Sequence, residues 1–64
     1  MRIHLPEGET REISSERMKI EDLLQNLGIN PLEVLIVRNG RVVPEDEYVQ
    51  EEDEIRVISV KSGG

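Results

Sequence analysis

The sequence predicts an α+β fold in which one β-sheet packs on a single α-helix, and three observations predict it. Apolar residues alternate with polar ones at the start of the chain. Four aliphatic side chains then recur at helical spacing, and an Asn-Gly pair separates two later apolar runs. With 64 residues, of which 36% are hydrophobic, the chain has material for one small core. We therefore expect a single domain rather than a multidomain enzyme.

The first two strands are predicted to form a hairpin. Met1, Ile3 and Leu5 alternate with polar residues, which is the pattern of a strand with one buried face. Gly8 can adopt a positive φ at no steric cost, so the chain is expected to reverse over residues 6–9. A return strand is then predicted over residues 10–13.

The helix is predicted from the spacing of its apolar residues. Ile20, Leu23, Leu24 and Leu27 occupy positions i, i+3, i+4 and i+7, which lie on one face of a helix. Gly28 follows directly, where a helix commonly ends in a left-handed residue. We therefore predict a helix that ends at Leu27.

A second hairpin is predicted around Asn39-Gly40, because both residues of such a two-residue turn accept positive φ. Its strands cover residues 34–38 and 41–43, which pairs Val37 with Val42. Both faces of this hairpin are then apolar. One face carries Val34, Ile36 and Val43, and the other carries Leu35, Val37 and Val42.

The segment 45–54 contains seven acidic residues, so we predict an irregular, solvated connection with Tyr48 and Val49 as its apolar anchors. A metal site is disfavoured because the segment has neither the alternating oxygen ligands nor the central glycine of a calcium loop. A docking surface is the remaining alternative. The last predicted strand covers residues 55–60 and is rich in β-branched side chains.

Alternation along the last strand predicts a second apolar surface. If Ile55 and Val57 face the helix, their neighbours face the other side of the sheet, which a single helix cannot cover. We predict that these residues form a partner-binding patch; the alternative is that neighbouring side chains cover them lightly. The patch consists of Leu35, Val37, Val42, Arg56, Ile58 and Val60.

Charge and composition restrict the function further. A net charge of −6 opposes binding to nucleic acid and to anionic membranes. The longest apolar run, Val34 to Val37, is far too short to span a membrane, and the chain does not open with a leader pattern. Without cysteine and with only His4, which is predicted on the outer face of its strand, we expect no metal and no cofactor. We expect a cytoplasmic monomer.

Several motifs together resemble the ubiquitin-like β-grasp sulfur carriers. They are the order of elements, the LLxxLGI segment at residues 23–29, the RNGRVVP hairpin at residues 38–44, and the final Gly63-Gly64. The closest resemblance is to the ThiS type, with the molybdopterin-synthase small subunit and the archaeal small ubiquitin-like modifiers as relatives. The resemblance implies a five-stranded mixed sheet whose first and last strands are parallel. It also implies a β-grasp domain over residues 1–61 and a flexible tail over residues 62–64.

The resemblance also implies a function for Gly63 and Gly64, which lack side chains and can enter a narrow channel. In this family an E1-like adenylyltransferase of the ThiF or MoeB type adenylates the terminal carboxylate, here that of Gly64. Conversion to a thiocarboxylate then allows sulfur delivery to an acceptor enzyme such as a thiazole synthase. The chain would be a substrate in thiamine, molybdopterin or thionucleoside synthesis, and not an enzyme.

Two other functions stay open at this point. The chain could be a protein modifier joined through Gly64 to target lysines, although Lys19 and Lys61 are its only own lysines. It could also be an interaction module with an inert tail, since small residues are common at frayed chain ends. The sequence does not separate a carrier from a modifier.

Overall fold

A computed structural model describes residues 1–60 and shows one helix packed against a five-stranded sheet, with a second, two-stranded sheet beside it. The predicted tail 62–64 and the last residue of the predicted domain 1–61 lie outside the described residues. The elements are β1 (Arg2–His4), β2 (Thr10–Glu12), β3 (Met18–Lys19), α1 (Ile20–Leu27), a 3-10 turn (Pro31–Glu33), β4 (Val34–Arg38), β5 (Arg41–Val43), β6 (Tyr48–Val49) and β7 (Glu54–Ser59).

The large sheet has the strand order β2-β1-β7-β4-β5. Strand β1 pairs with β7 in parallel, with Ile3 opposite Ile55, and the other pairs are antiparallel. The β4–β5 hairpin has the predicted register, with Val37 opposite Val42. This mixed sheet on one helix confirms the β-grasp α+β fold.

Helix α1 covers the predicted residues. Gly28 ends it with φ 73°, in the left-handed region that glycine adopts without a steric penalty, and its N–H donates to the carbonyl of Gln25. The apolar side chains of α1 face the sheet, and Leu23 and Leu24 are almost completely buried. The predicted helix and its buried face are confirmed.

The core lies between α1 and one face of the large sheet. Every strand of that sheet except the two edge strands contributes a buried side chain. The buried apolar residues are Met1, Ile3, Leu5, Ile20, Leu23, Leu24, Ile36, Val49, Ile55 and Val57.

The prediction of an irregular connection over residues 45–54 is wrong in its middle. Tyr48 and Val49 form β6, which pairs antiparallel with β3, and Val49 is completely buried. The backbone N–H of Ile20 donates to the Glu47 carbonyl at 2.9 Å, and the N–H of Glu21 donates to the Glu45 carbonyl at 2.9 Å. The acidic segment therefore satisfies backbone donors at the start of α1, which have no partner within a helix.

Tyr48 also differs from its prediction as a loop anchor on the sheet. It lies in β6, outside the buried core, and the Arg17 guanidinium carbon lies 4.1 Å from the centre of its ring. This distance is typical of a cation–π contact. Tyr48 therefore holds the segment before α1 against the small sheet.

Candidate functional site

Strand β7 carries the chain toward the predicted reactive residues. Beyond its last residue, the Val60 N–H donates to the Glu33 carbonyl at 3.0 Å, which extends the β4–β7 pairing by one residue. Gly64, whose carboxylate is predicted to be adenylated, and its neighbour Gly63 lie outside the described residues. The described chain therefore ends beside the 3-10 turn.

The face of the large sheet opposite α1 is open, and it carries the six residues of the predicted patch. Pairing brings Leu35 opposite Ile58 and Val37 opposite both Arg56 and Val42. Val60 follows Ile58 by two residues on the same alternation. The structure thus places Leu35, Val37, Val42, Arg56, Ile58 and Val60 together on neighbouring strands.

Most of this patch is exposed to solvent. The exposed fraction is 63% for Val42, 53% for Val60, and 39% each for Leu35 and Ile58, while Val37 is half-buried. The alternative was that neighbouring side chains cover these residues lightly. Whatever cover they provide leaves much of this apolar surface in contact with water. Contiguous apolar surface of this kind commonly marks a protein-binding site.

The β1–β2 half of the same face is polar. Arg2 Nε lies 3.0 Å from Glu12 Oε1, and His4 Nε2 lies 2.7 Å from Glu54 Oε2. The hydrogen bond from His4, helped by the charges of nearby basic groups, lowers the pKa of the Glu54 carboxyl. His4 therefore has an exposed carboxylate partner on the outer face of β1, the face predicted for it.

A buried carboxylate lies at the end of β7 remote from Val60. Asp53 is 6% exposed, and it is the only buried polar residue among residues 1–60. Its oxygens accept hydrogen bonds from Arg38 Nε at 2.9 Å, from Asn39 Nδ2 at 2.9 Å and from the Gln50 N–H at 2.7 Å. No sequence signal distinguishes Asp53, because it is one of seven acidic residues in its segment.

The described residues contain no group of His, Asp or Glu side chains that could hold a metal ion. Ser14 and Ser15 both bind the Glu51 carboxylate, through the Ser14 hydroxyl at 3.1 Å and the Ser15 N–H at 3.1 Å. These serines contact no histidine, so nothing here resembles an activated nucleophile. Within residues 1–60, no helix has the length and apolar character needed to cross a membrane.

Comparison with known proteins decides the family. The model of the small archaeal modifier protein 2 family matches residues 1–60. The chain belongs to this family. Small archaeal modifier proteins of this kind are ubiquitin-like, in agreement with the β-grasp fold and with the resemblance found in the sequence.

Two relatives are similar to this chain over most of their length. The sulfur carrier protein TtuB of Thermus thermophilus is 36% identical over 62 residues, which cover 97% of this chain and 94% of TtuB. An uncharacterised protein of Archaeoglobus fulgidus is 38% identical over 53 residues, which cover 83% of this chain and 78% of that protein. The similarity to a sulfur carrier therefore includes almost the whole chain.

Proposed function

We propose that this protein is a sulfur carrier whose Gly64 carboxylate is adenylated by an E1-like enzyme and converted to a thiocarboxylate. The observation that carries the proposal is the similarity to a sulfur carrier over 97% of the chain. The order of elements supports it, because β7 is the last described element before Gly63-Gly64 in the sequence. In this role the protein is a substrate and supplies no catalytic residue.

The chemistry requires activation because a free carboxylate is a poor electrophile. A Gly64 carboxylate oxygen attacks the α-phosphorus of ATP, and pyrophosphate leaves, which gives an acyl-adenylate. A sulfur nucleophile then attacks the carbonyl carbon and AMP leaves. Hydrosulfide yields the thiocarboxylate directly, whereas a persulfide yields an acyl disulfide that a thiol must reduce.

The patch is the proposed contact surface for the E1-like enzyme, of the ThiF or MoeB type, and for the enzyme that receives the sulfur. Each aliphatic side chain buried at an interface contributes roughly 1.5–3 kcal/mol if it was fully exposed before. Ile58 lies on β7 and Val60 directly follows the last residue of that strand, so an enzyme can bind both while it holds Gly64. A thiazole synthase or an enzyme of molybdopterin or thionucleoside synthesis is the proposed acceptor, in the cytoplasm.

A second candidate function is protein modification, and the family match favours it specifically. In this case a target lysine amine attacks the activated Gly64 carbonyl and displaces AMP, which leaves an isopeptide bond. Lys19, the one lysine among the described residues, is half-buried, with Nζ 5.9 Å from the centre of the Tyr48 ring. Chains linked through Lys19 would therefore form less readily than conjugates to exposed lysines of other proteins.

Intact mass spectrometry of the protein from its native cells separates these functions. A carrier shows a terminal oxygen replaced by sulfur, and a modifier shows branched peptides that contain Gly64 linked to a lysine. An unmodified chain in both searches would favour an inert tail.

The activation step is tested by ATP–pyrophosphate exchange with the E1-like enzyme of the source organism. Deletion of Gly64, or Gly63→Phe, should abolish exchange and leave the free energy of unfolding unchanged, because neither change removes a side chain that could pack in the core. Normal exchange without Gly64 would contradict both candidate functions.

A further inference from the structure

The apolar surface does not stop at the open face of the sheet. A cleft of about 460 Å³ opens at this edge of the sheet and is lined by residues of α1, the 3-10 turn, β4 and β5. Leu35 and Val42 of the patch line it, and Glu45 is the one charged residue in a lining that is otherwise apolar. The patch is therefore continuous, around the edge of the sheet, with the 3-10 turn.

Leu32 directly follows Pro31 in this turn and is 84% exposed, more than any other large apolar side chain among residues 1–60. The turn has a defined backbone. Asn30 Oδ1 accepts a hydrogen bond from the Leu32 N–H at 3.0 Å, and the Asn30 carbonyl accepts one from the Glu33 N–H at 3.0 Å. An exposed leucine alone is unremarkable in a folded protein, but this one is held on a fixed turn beside an apolar cleft.

Val60, the last of the described residues, lies against the same turn. The Val60 N–H donates to the Glu33 carbonyl, and Leu32 is the next residue, with its Cα about 3.8 Å from that of Glu33. Four residues, 61–64, follow Val60, and four residues span at most about 14 Å when fully extended. Any enzyme that holds the Gly64 carboxylate must therefore bring its surface within that distance of Val60.

We infer that the enzyme that adenylates Gly64 docks over the 3-10 turn as well as over the patch. An apolar side chain of that enzyme occupies the cleft, and Leu32 packs against it at the rim. This inference rests on the proposed function, because the short reach of residues 61–64 matters only if Gly64 reacts. It adds Leu32 as a residue that determines which enzyme the carrier fits.

The test is ATP–pyrophosphate exchange with the E1-like enzyme of the source organism, at varied concentrations of carrier. Leu32→Asp should raise the carrier concentration at half-maximal exchange by about ten-fold or more and leave the maximal rate unchanged, because it removes uniform binding. Leu32→Met keeps an apolar side chain and should stay within about two-fold of wild type.

Gln50→Glu is the matched control. It adds the same single negative charge, but it precedes β7, at the opposite end of that strand from Val60. Its exchange kinetics should equal those of wild type. If Gln50→Glu weakens exchange as much as Leu32→Asp, the effect is one of net charge and the inference is wrong.

The remaining outcomes separate this inference from the proposed function. If wild type supports ATP–pyrophosphate exchange and Leu32→Asp does not change it, only the docking of Leu32 is overturned. If wild type supports no ATP–pyrophosphate exchange, both proposals are overturned.

Hydrogen–deuterium exchange gives a second measurement on the unaltered chain. Amides of residues 30–36 should exchange more slowly when the enzyme is added, and unchanged rates would count against the inference. Loss of wild-type dimers in Leu32→Asp, seen by sedimentation, would assign the cleft to a second copy instead.

Discussion

Arg38 Nε donates a 2.9 Å hydrogen bond to Asp53 Oδ2, which joins the β4–β5 turn to the turn before β7. Asn39 strengthens the connection, because its side-chain carbonyl accepts from the Glu54 N–H at 2.9 Å and its own N–H donates to the Glu54 carbonyl at 2.9 Å. The first residue of β7 is therefore held by side chains as well as by the sheet. The strand that leads to the tail is thus fixed at its opposite end.

Loss of the Asp53 carboxylate should destabilise the fold. Asp53→Ala leaves Arg38, Asn39 and the Gln50 N–H without their acceptor in a site that is only 6% exposed at Asp53. We expect the free energy of unfolding, measured with urea, to fall by about 2–4 kcal/mol. The exposed neighbour Glu52 serves as a control, and Glu52→Ala should change stability by less than about 0.5 kcal/mol. Equal effects of the two changes would contradict this role.

The same carboxylate should make stability depend on pH. Burial acts to raise the pKa of Asp53, but hydrogen bonds from Asn39, Gln50 and Arg38 outweigh it and hold the pKa below the ordinary value of 3.8. Because the folded-state pKa is the lower one, the stabilisation is fully present above pH 3.8 and is lost as pH falls through the folded-state pKa.

The measurement compares urea unfolding of wild type and Asp53→Asn at neutral pH and at successively lower pH. The stability of wild type relative to the variant should be constant near neutrality and should shrink below pH 3.8. Glu54, whose pKa is also lowered, is present in both proteins, so the difference between them isolates Asp53. A difference that stays constant down to strongly acid pH would show that Asp53 does not titrate as described.

The elements with local signals could be predicted from the sequence. The helix follows from apolar spacing and from Gly28, and the second hairpin follows from the Asn39-Gly40 turn, whose Asn39 does adopt a φ of 50°. Alternation places Leu35 on the face of that hairpin opposite Ile36, and it places Ile58 on the open face if Ile55 and Val57 face the helix. These features depend on residues near one another in the chain or on a two-residue period.

The features that were missed depend on residues far apart in the chain. Val49 is predicted as an apolar anchor, but its strand β6 pairs with β3, about thirty residues earlier, and no periodicity within the acidic segment indicates this pairing. Asp53 differs from the acidic residues around it only through Arg38 and Asn39. The cleft beside the 3-10 turn has no local signal for a related reason, since residues of several elements line it.

The buried face of α1 gives a stability prediction. Leu24 is completely buried between the helix and the sheet, so Leu24→Ala removes apolar contacts and leaves a cavity. We expect a loss of roughly 2–5 kcal/mol in the free energy of unfolding, which is large for a domain of this size. Gln25→Ala, at the adjacent exposed position, is the control and should have little effect. A loss below about 0.5 kcal/mol for Leu24→Ala would show that this residue is not in the core.

The patch gives a prediction on binding. Ile58 is 39% exposed on the open face, so Ile58→Glu places a carboxylate where water can still solvate it in the free protein. The fold should therefore survive with a modest loss of stability, because no core cavity forms. At an interface the same carboxylate loses its water without gaining a partner and displaces an apolar contact. Binding to the E1-like enzyme should therefore weaken by at least about 2 kcal/mol, as for other hot-spot residues.

Gln25→Glu is the control that separates the effect of where the charge is placed from the effect of net charge. It also adds one negative charge, but on the exposed side of α1, away from the open face that carries Ile58 and Leu35. Calorimetric titration of the E1-like enzyme with both variants should show wild-type affinity for Gln25→Glu and weak binding for Ile58→Glu. Wild-type affinity for both would mean that the enzyme binds elsewhere. Unfolding of Ile58→Glu, seen by circular dichroism, would mean that Ile58 supports the core despite its exposure. A new carboxylate costs enough free energy to unfold the protein only where it is shielded from water.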